Sequence, residues 1–105
     1  MVRPAHGEVW WVEAPDFPRR PALVMTREAS IPVLSRLLIA PLTTRRRGIP
    51  TEVEVGRTEG LPRSCVISLD SVQQLETIYF RERIAALGPQ KLVEVCGALG
   101  AAVEC

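Results

Sequence analysis

The sequence predicts a small, mainly β protein: an antiparallel, barrel-like sheet with one C-terminal helix. Three observations carry this. Short apolar runs rich in strand formers recur between Pro- and Gly-bearing turns, Thr51-Glu52-Val53-Glu54-Val55 alternates strictly, and one helical periodicity follows Gly88-Pro89. Many short strands and a single terminal helix in 105 residues make one domain, spanning 1–105 and SH3-like in size.

In chain order, Val2 to Ala5 is a short arm, and Gly7 to Glu13 reads as a first strand, with Val9 and Trp11 on one face and Trp10 and Val12 on the other. One of these tryptophans belongs to the core. Ala14-Pro15-Asp16-Phe17-Pro18-Arg19 carries two prolines and is expected to be a loop. Pro21-Ala22-Leu23-Val24-Met25 follows as a strand, with Pro21 at its first position, where no ladder bond is lost. Arg27 to Pro32 is a polar excursion too short for a full helix. Val33 to Leu42 is the most apolar stretch and predicts the central strand, buried on both sides, with Pro41 near its end. After the Thr43–Pro50 loop, Val53 and Val55 point inward from the alternating strand. Gly56 to Pro62 is turn material, and Cys65 to Leu69 is another short strand. Asp70 to Leu75 continues with weaker strand character, Thr77 to Phe80 is expected to make one helical turn, and Glu82 to Leu87 is a last strand or the approach to the helix. Gly88-Pro89 opens the helix, whose apolar face is predicted to carry Leu92, Val95, Cys96, Leu99 and Val103.

Composition narrows the function classes. With 47% hydrophobic and 24% charged residues the chain is globular, not disordered. No apolar run approaches about 18 residues, so neither a membrane span nor a signal peptide is expected and a cytoplasmic location is predicted. Cys65, Cys96 and Cys105 lack metal-ligand spacing, and only His6 offers an imidazole; they read as reduced, small apolar residues, and no metal or other cofactor is expected. The formal net charge of +1 does not by itself announce nucleic acid. The kind of base is more telling: 12 of the 13 basic residues are arginine, whose planar fork suits phosphate recognition.

The candidate site follows from two strand ends. Pro21 holds Arg20 extended at a strand entrance, and the Leu37–Leu42 strand delivers Thr43 and Thr44 followed by the basic turn Arg45-Arg46-Arg47-Gly48. Brought to one sheet edge, these residues suit a phosphodiester. The alternatives are structural: Arg20 paired with Glu13 or Asp16, Thr43 bonded to its local backbone, and the arginine run a solvated cluster.

Gly7-Glu8-Val9-Trp10, Arg20-Pro21-Ala22-Leu23-Val24, Ala40-Pro41-Leu42-Thr43-Thr44, Thr51-Glu52-Val53, Gly60-Leu61-Pro62-Arg63-Ser64-Cys65-Val66 and Leu69-Asp70 stand in an order and spacing that resembles the MazF/PemK/Kid ribonuclease toxins of bacterial toxin–antitoxin pairs. The resemblance covers nearly the whole chain. It implies the same barrel-like fold, a homodimer, and an antitoxin with an acidic, partly disordered segment. It also implies metal-independent, sequence-selective cleavage of single-stranded RNA (mRNA, rRNA or tRNA) by attack of the 2′-hydroxyl, leaving a 2′,3′-cyclic phosphate and a 5′-hydroxyl. Arg20 and Thr43 occupy the family's catalytic positions. Arg19, Thr44, Arg45, Arg46 and Arg47 are then candidate RNA-backbone contacts, joined by Asp70, and Gln73 and Gln74 are candidate base readers. The general base stays open among Glu13, Asp16 and Asp70, because arginine remains protonated. Some relatives pair Asp70's position with an arginine; here Ser68 stands in that place, and that variant chemistry is not expected. The Ala14–Arg19 segment is shorter than the family's usual loop. Two other readings compete: a CcdB-like, non-enzymatic topoisomerase poison, and an SH3-like peptide-binding module, which needs an aromatic groove this chain hardly supplies with Tyr79 its only tyrosine.

Overall fold

The computed structural model describes residues 3–103, so Val2 and Cys105 lie outside the described residues. Seven strands, β1 (Glu8–Ala14), β2 (Phe17–Val24), β3 (Arg36–Thr43), β4 (Glu52–Val55), β5 (Cys65–Ser68), β6 (Gln73–Glu76) and β7 (Phe80–Ala86), precede one helix, α1 (Pro89–Ala102). The strands pair antiparallel in the order β4-β5-β3-β2-β1-β7, with β6 alongside β3. The sheet curls in the manner of a barrel, but the ladder does not close from β4 to β7.

β3 is the central strand, as its apolar composition predicts. One edge pairs with β2; the other pairs with β6 through Arg36–Ile39 and with β5 through Leu42 and Thr43. Pro41 falls between those two partners, where the missing N–H breaks no ladder on that edge. The strand starts later than its sequence suggests. Val33 ends a short 3-10 turn (Glu28–Val33), and both Val33 and Leu34 are exposed.

Two apolar clusters cover the two faces of the sheet. Val9, Leu23, Ala40, Val53, Val55 and Ile67 belong to one, under α1, where Val95 and Ala98 are buried and Leu92 and Leu99 pack against them. Trp10, Val12, Ala22, Val24, Leu37 and Ile39 form the other. Trp10 is thus the core tryptophan and Trp11 stays half-buried. The predicted helix face needs correction at two places: Cys96 and Val103 are exposed, and Ala98 takes the buried position, because Cys96 is turned about 100° from Val95 around the axis. Cys65 and Cys96 are both free thiols.

Candidate functional site

The hairpin joining β1 to β2 is tighter than a six-residue loop. Only Pro15 and Asp16 form the turn, and Ala14 pairs with Phe17. The register then slips: Val12 opposes Arg20, so Pro18 and Arg19 together face Glu13. A bulge takes up the extra residue, and a proline, having no N–H to offer the ladder, suits it. Bulges re-aim the side chains beside them, and here those are arginines. The Arg19 guanidinium lies over the Trp11 ring, 4.8 Å from its centroid, and that of Arg20 lies over Phe17 at 5.5 Å.

Arg20 makes none of the ion pairs found among the described residues; these join Arg46 to Glu54, Arg83 to Glu8 and Lys91 to Glu94. Its Nε is buried without a hydrogen-bond partner. The pairing with Glu13 or Asp16 that would make Arg20 merely structural is therefore absent from the described residues. An unsatisfied buried donor costs about 1–3 kcal/mol, so a guanidinium held this way needs an incoming acceptor.

Thr43 ends β3, opposite Val66 of β5. Its Oγ1 accepts the N–H of Arg45 at 3.1 Å. That local bond uses the oxygen as acceptor and leaves the hydroxyl proton available for donation. The basic turn is fastened from the other side by Glu52, whose Oε1 accepts the N–H groups of Arg47 (2.9 Å) and Gly48 (3.1 Å). Gly48 sits at φ 68°, a left-handed conformation costly for residues with a Cβ. Arg46 leaves the group, pairing with Glu54 at 2.5 Å and donating to the Ser64 hydroxyl.

Two hollows meet at Arg20 and Thr43, which line both. The larger, about 600 Å³, is walled by Trp11, Arg19, Pro21, Leu61 and Arg63, and Thr44 opens onto it. The smaller, about 250 Å³, holds Arg45, Arg47, Glu52, Ser68 and Ser71. Cys65 reaches the first hollow, and burial pushes its thiol above the ordinary range despite nearby Arg46 and Arg63. Asp70 lines neither hollow; its carboxylate accepts the Thr51 hydroxyl. Gln73 and Gln74 lie on β6 opposite Ile39 and Leu38, also outside both. A roomier hollow of about 1030 Å³, beside Trp10, Ile31 and Phe80, shares no residue with this site. Glu52, Trp11 and Arg63 are among the site-lining residues that the sequence reading leaves out.

This architecture has close counterparts of known structure. The Mycobacterium tuberculosis toxin MazF-mt6 superposes with a TM-score of 0.84 at 30% identity, covering 90% of this chain and 94% of that one. A MazE–MazF crystal structure from Deinococcus radiodurans superposes with a TM-score of 0.81 at 31% identity, covering 96% and 95%. Among curated proteins, the probable endoribonuclease MazF5 of M. tuberculosis is 41% identical over 97% of this chain and 94% of its own length. Probable endoribonuclease MazF2 of the same organism is 35% identical over 94% and 97%. Residues 5–103 match the model of the PemK-like, MazF-like toxins of type II toxin–antitoxin systems, and the chain belongs to that family.

Proposed function

We propose that this MazF-like toxin is a single-domain endoribonuclease that cleaves single-stranded RNA at Arg20 and Thr43 without a metal ion. The observation that carries the reading is the meeting of the two hollows at these residues, with the Arg20 Nε buried and unpartnered. In the reaction the ribose 2′-hydroxyl attacks phosphorus, the bond to the 5′-oxygen breaks, and the products are a 2′,3′-cyclic phosphate and a 5′-hydroxyl. Negative charge grows on the non-bridging oxygens as the phosphorane forms. The Arg20 guanidinium supplies charge-assisted donors to those oxygens, and the Thr43 hydroxyl supplies a neutral one.

Arginine is a poor base, so the 2′-hydroxyl proton needs another acceptor. Among the described residues Glu52 is the carboxylate lining the smaller hollow with Arg20 and Thr43, and it takes that role in place of Glu13, Asp16 or Asp70, while the departing 5′-oxygen takes its proton from water. Arg45 and Arg47 contact the RNA backbone from the turn that Glu52 fastens.

The protein works as a cytoplasmic homodimer, restrained by an antitoxin whose acidic, partly disordered segment competes with RNA for the arginines. Support for this pairing comes from the toxin–antitoxin family match and from the MazE–MazF assembly of the D. radiodurans relative. For the part of the chain described, no helix is long and apolar enough to cross a membrane.

The test is incubation of purified protein with a long synthetic RNA in EDTA, followed by mapping of the ends. Expected are fragments whose 5′ ends ligate only after kinase treatment and whose 3′ ends are cyclic phosphates. Activity that vanishes in EDTA and returns with magnesium overturns the mechanism.

A further inference from the structure

The larger hollow differs in character from a phosphate site. Trp11 is half-buried at its wall with the Arg19 guanidinium over its ring, and Pro21, Leu42 and Leu61 give it an apolar lining. A flat π-surface with an apolar lining is a poor partner for a phosphate and a good one for a nucleobase, because every base has a face that stacks on aromatic and guanidinium planes. Position supports the same occupant. The hollow begins at Arg20 and Thr43, so a phosphodiester bound there sends one of its two attached nucleosides along this wall.

We infer that the hollow is a nucleobase subsite, in which the base next to the bound phosphate stacks on the Trp11–Arg19 platform and Arg63 reads its edge. The inference rests on the reading of Arg20 and Thr43 as the phosphate site. The lining also selects a chemical class of base. Among the described residues its polar side-chain groups are the guanidinium groups of Arg19, Arg20 and Arg63, the Trp11 indole N–H, the hydroxyls of Thr43 and Thr44 and the thiol of Cys65, with no carboxylate or carboxamide. Guanidinium donates and never accepts. A base that turns carbonyl oxygens toward these groups, guanine or uracil, finds donors waiting. Adenine and cytosine place an exocyclic amine where guanine and uracil carry a carbonyl oxygen, a donor facing the guanidinium donors, and are disfavoured by the unmade bond.

Binding tests this without relying on catalysis. Fluorescently labelled 2′-O-methyl octamers of uridine and of cytidine are titrated against the wild type and against Trp11→Ala, Trp11→Phe and Arg63→Ala. The wild type is expected to bind the uridine octamer about 5- to 150-fold more tightly than the cytidine one. Trp11→Ala should weaken both by a factor in the same range, as loss of a stacking partner does, while Trp11→Phe keeps most of the affinity. Arg63→Ala should bring the uridine-to-cytidine ratio close to one. Equal binding of the two octamers by the wild type, or unchanged binding by Trp11→Ala, overturns the subsite. Cleavage of a mixed-sequence RNA by the same preparation separates the two readings. Discrimination without cleavage removes the nuclease assignment and leaves the base subsite standing; cleavage without discrimination does the reverse.

Discussion

Replacing Arg20 with methionine separates a catalytic arginine from a structural one, because the two roles predict opposite signs for stability. In the folded protein the Arg20 Nε is buried and unpartnered, and its guanidinium contacts Phe17 at 5.5 Å. Removing an unsatisfied buried donor gains about 1–3 kcal/mol. Losing the cation–π contact gives back about 0.5–1 kcal/mol. Methionine keeps much of the apolar volume, so Arg20→Met should range from unchanged to about 2.5 kcal/mol more stable than the wild type. With a urea m-value of roughly 2 kcal/mol/M, a gain of 1 kcal/mol raises the denaturation midpoint by about 0.5 M. Both proteins are to be compared at one protomer concentration, since self-association shifts apparent stability. Single-turnover cleavage should fall by about 10²–10³, the usual effect of removing a donor to a developing oxyanion. Two results refute the reasoning: a lower midpoint with unchanged m, which makes Arg20 a structural residue, or near-wild-type cleavage by the folded variant.

Other groups give equally direct expectations. Glu52→Gln keeps an oxygen for the N–H groups of Arg47 and Gly48, so the turn should hold while single-turnover cleavage drops about 10²-fold or more; near-wild-type cleavage by the folded variant removes Glu52 as the base. Arg45→Ala and Arg47→Ala should each reduce the salt dependence of RNA binding by a slope of roughly 0.7, whereas Arg46→Ala should leave that slope intact and cost at most about 1 kcal/mol of stability, because Arg46 is engaged with Glu54. Burial raises the Glu8 carboxyl, but hydrogen bonds from the Trp10 indole, the Ala5 N–H and Arg83, with the Arg83 charge, outweigh it and hold the group below its ordinary 4.5. A lowered carboxyl contributes its stability above the unfolded-state value and loses it as pH falls through the folded one. The wild type should therefore be more stable than Glu8→Gln at pH 7 and lose that advantage as pH falls below 4.5, measured by urea midpoints at both ends.

Where pattern alone decides structure, the sequence is easily read. Val53 and Val55 are buried on β4 with acids between and before them, because alternation must match the pleat. Pattern says less about registration. Pro15 and Pro18 together look like loop residues, yet only the first lies in the turn, and the second fits a bulge that faces Glu13 directly across the hairpin. Apolar character likewise ran past its structural limit at Val33 and Leu34, since hydrophobicity marks what can be buried and leaves the place of burial to the strands that pair. On α1, Cys96 is more apolar by type than its packing warrants, while small Ala98 lies where the helix approaches the sheet.

The candidate site divides along the same line. Arg20 and Thr43 are visible because each adjoins a proline-marked strand, and β2 and β3 are neighbours that bring Ala22 opposite Pro41. Glu52 is concealed by the very alternation that reveals its strand: an outward acid on a half-exposed strand reads as solvent-facing. Here the basic turn folds back over that face, so outward means toward Arg47 and Gly48 and into the hollow shared with Arg20. The arginine run hides a second distinction. Three consecutive guanidinium groups look equivalent in sequence, but Glu54 lies within reach of Arg46 alone, leaving its two neighbours to line the smaller hollow. Glu52 consequently has two duties that one substitution can divide. Its oxygen holds the turn, a task an amide can perform, and its charge receives a proton, which an amide cannot. A Glu52→Gln protein with an ordered turn, intact RNA affinity and little cleavage would separate positioning from chemistry at that single residue.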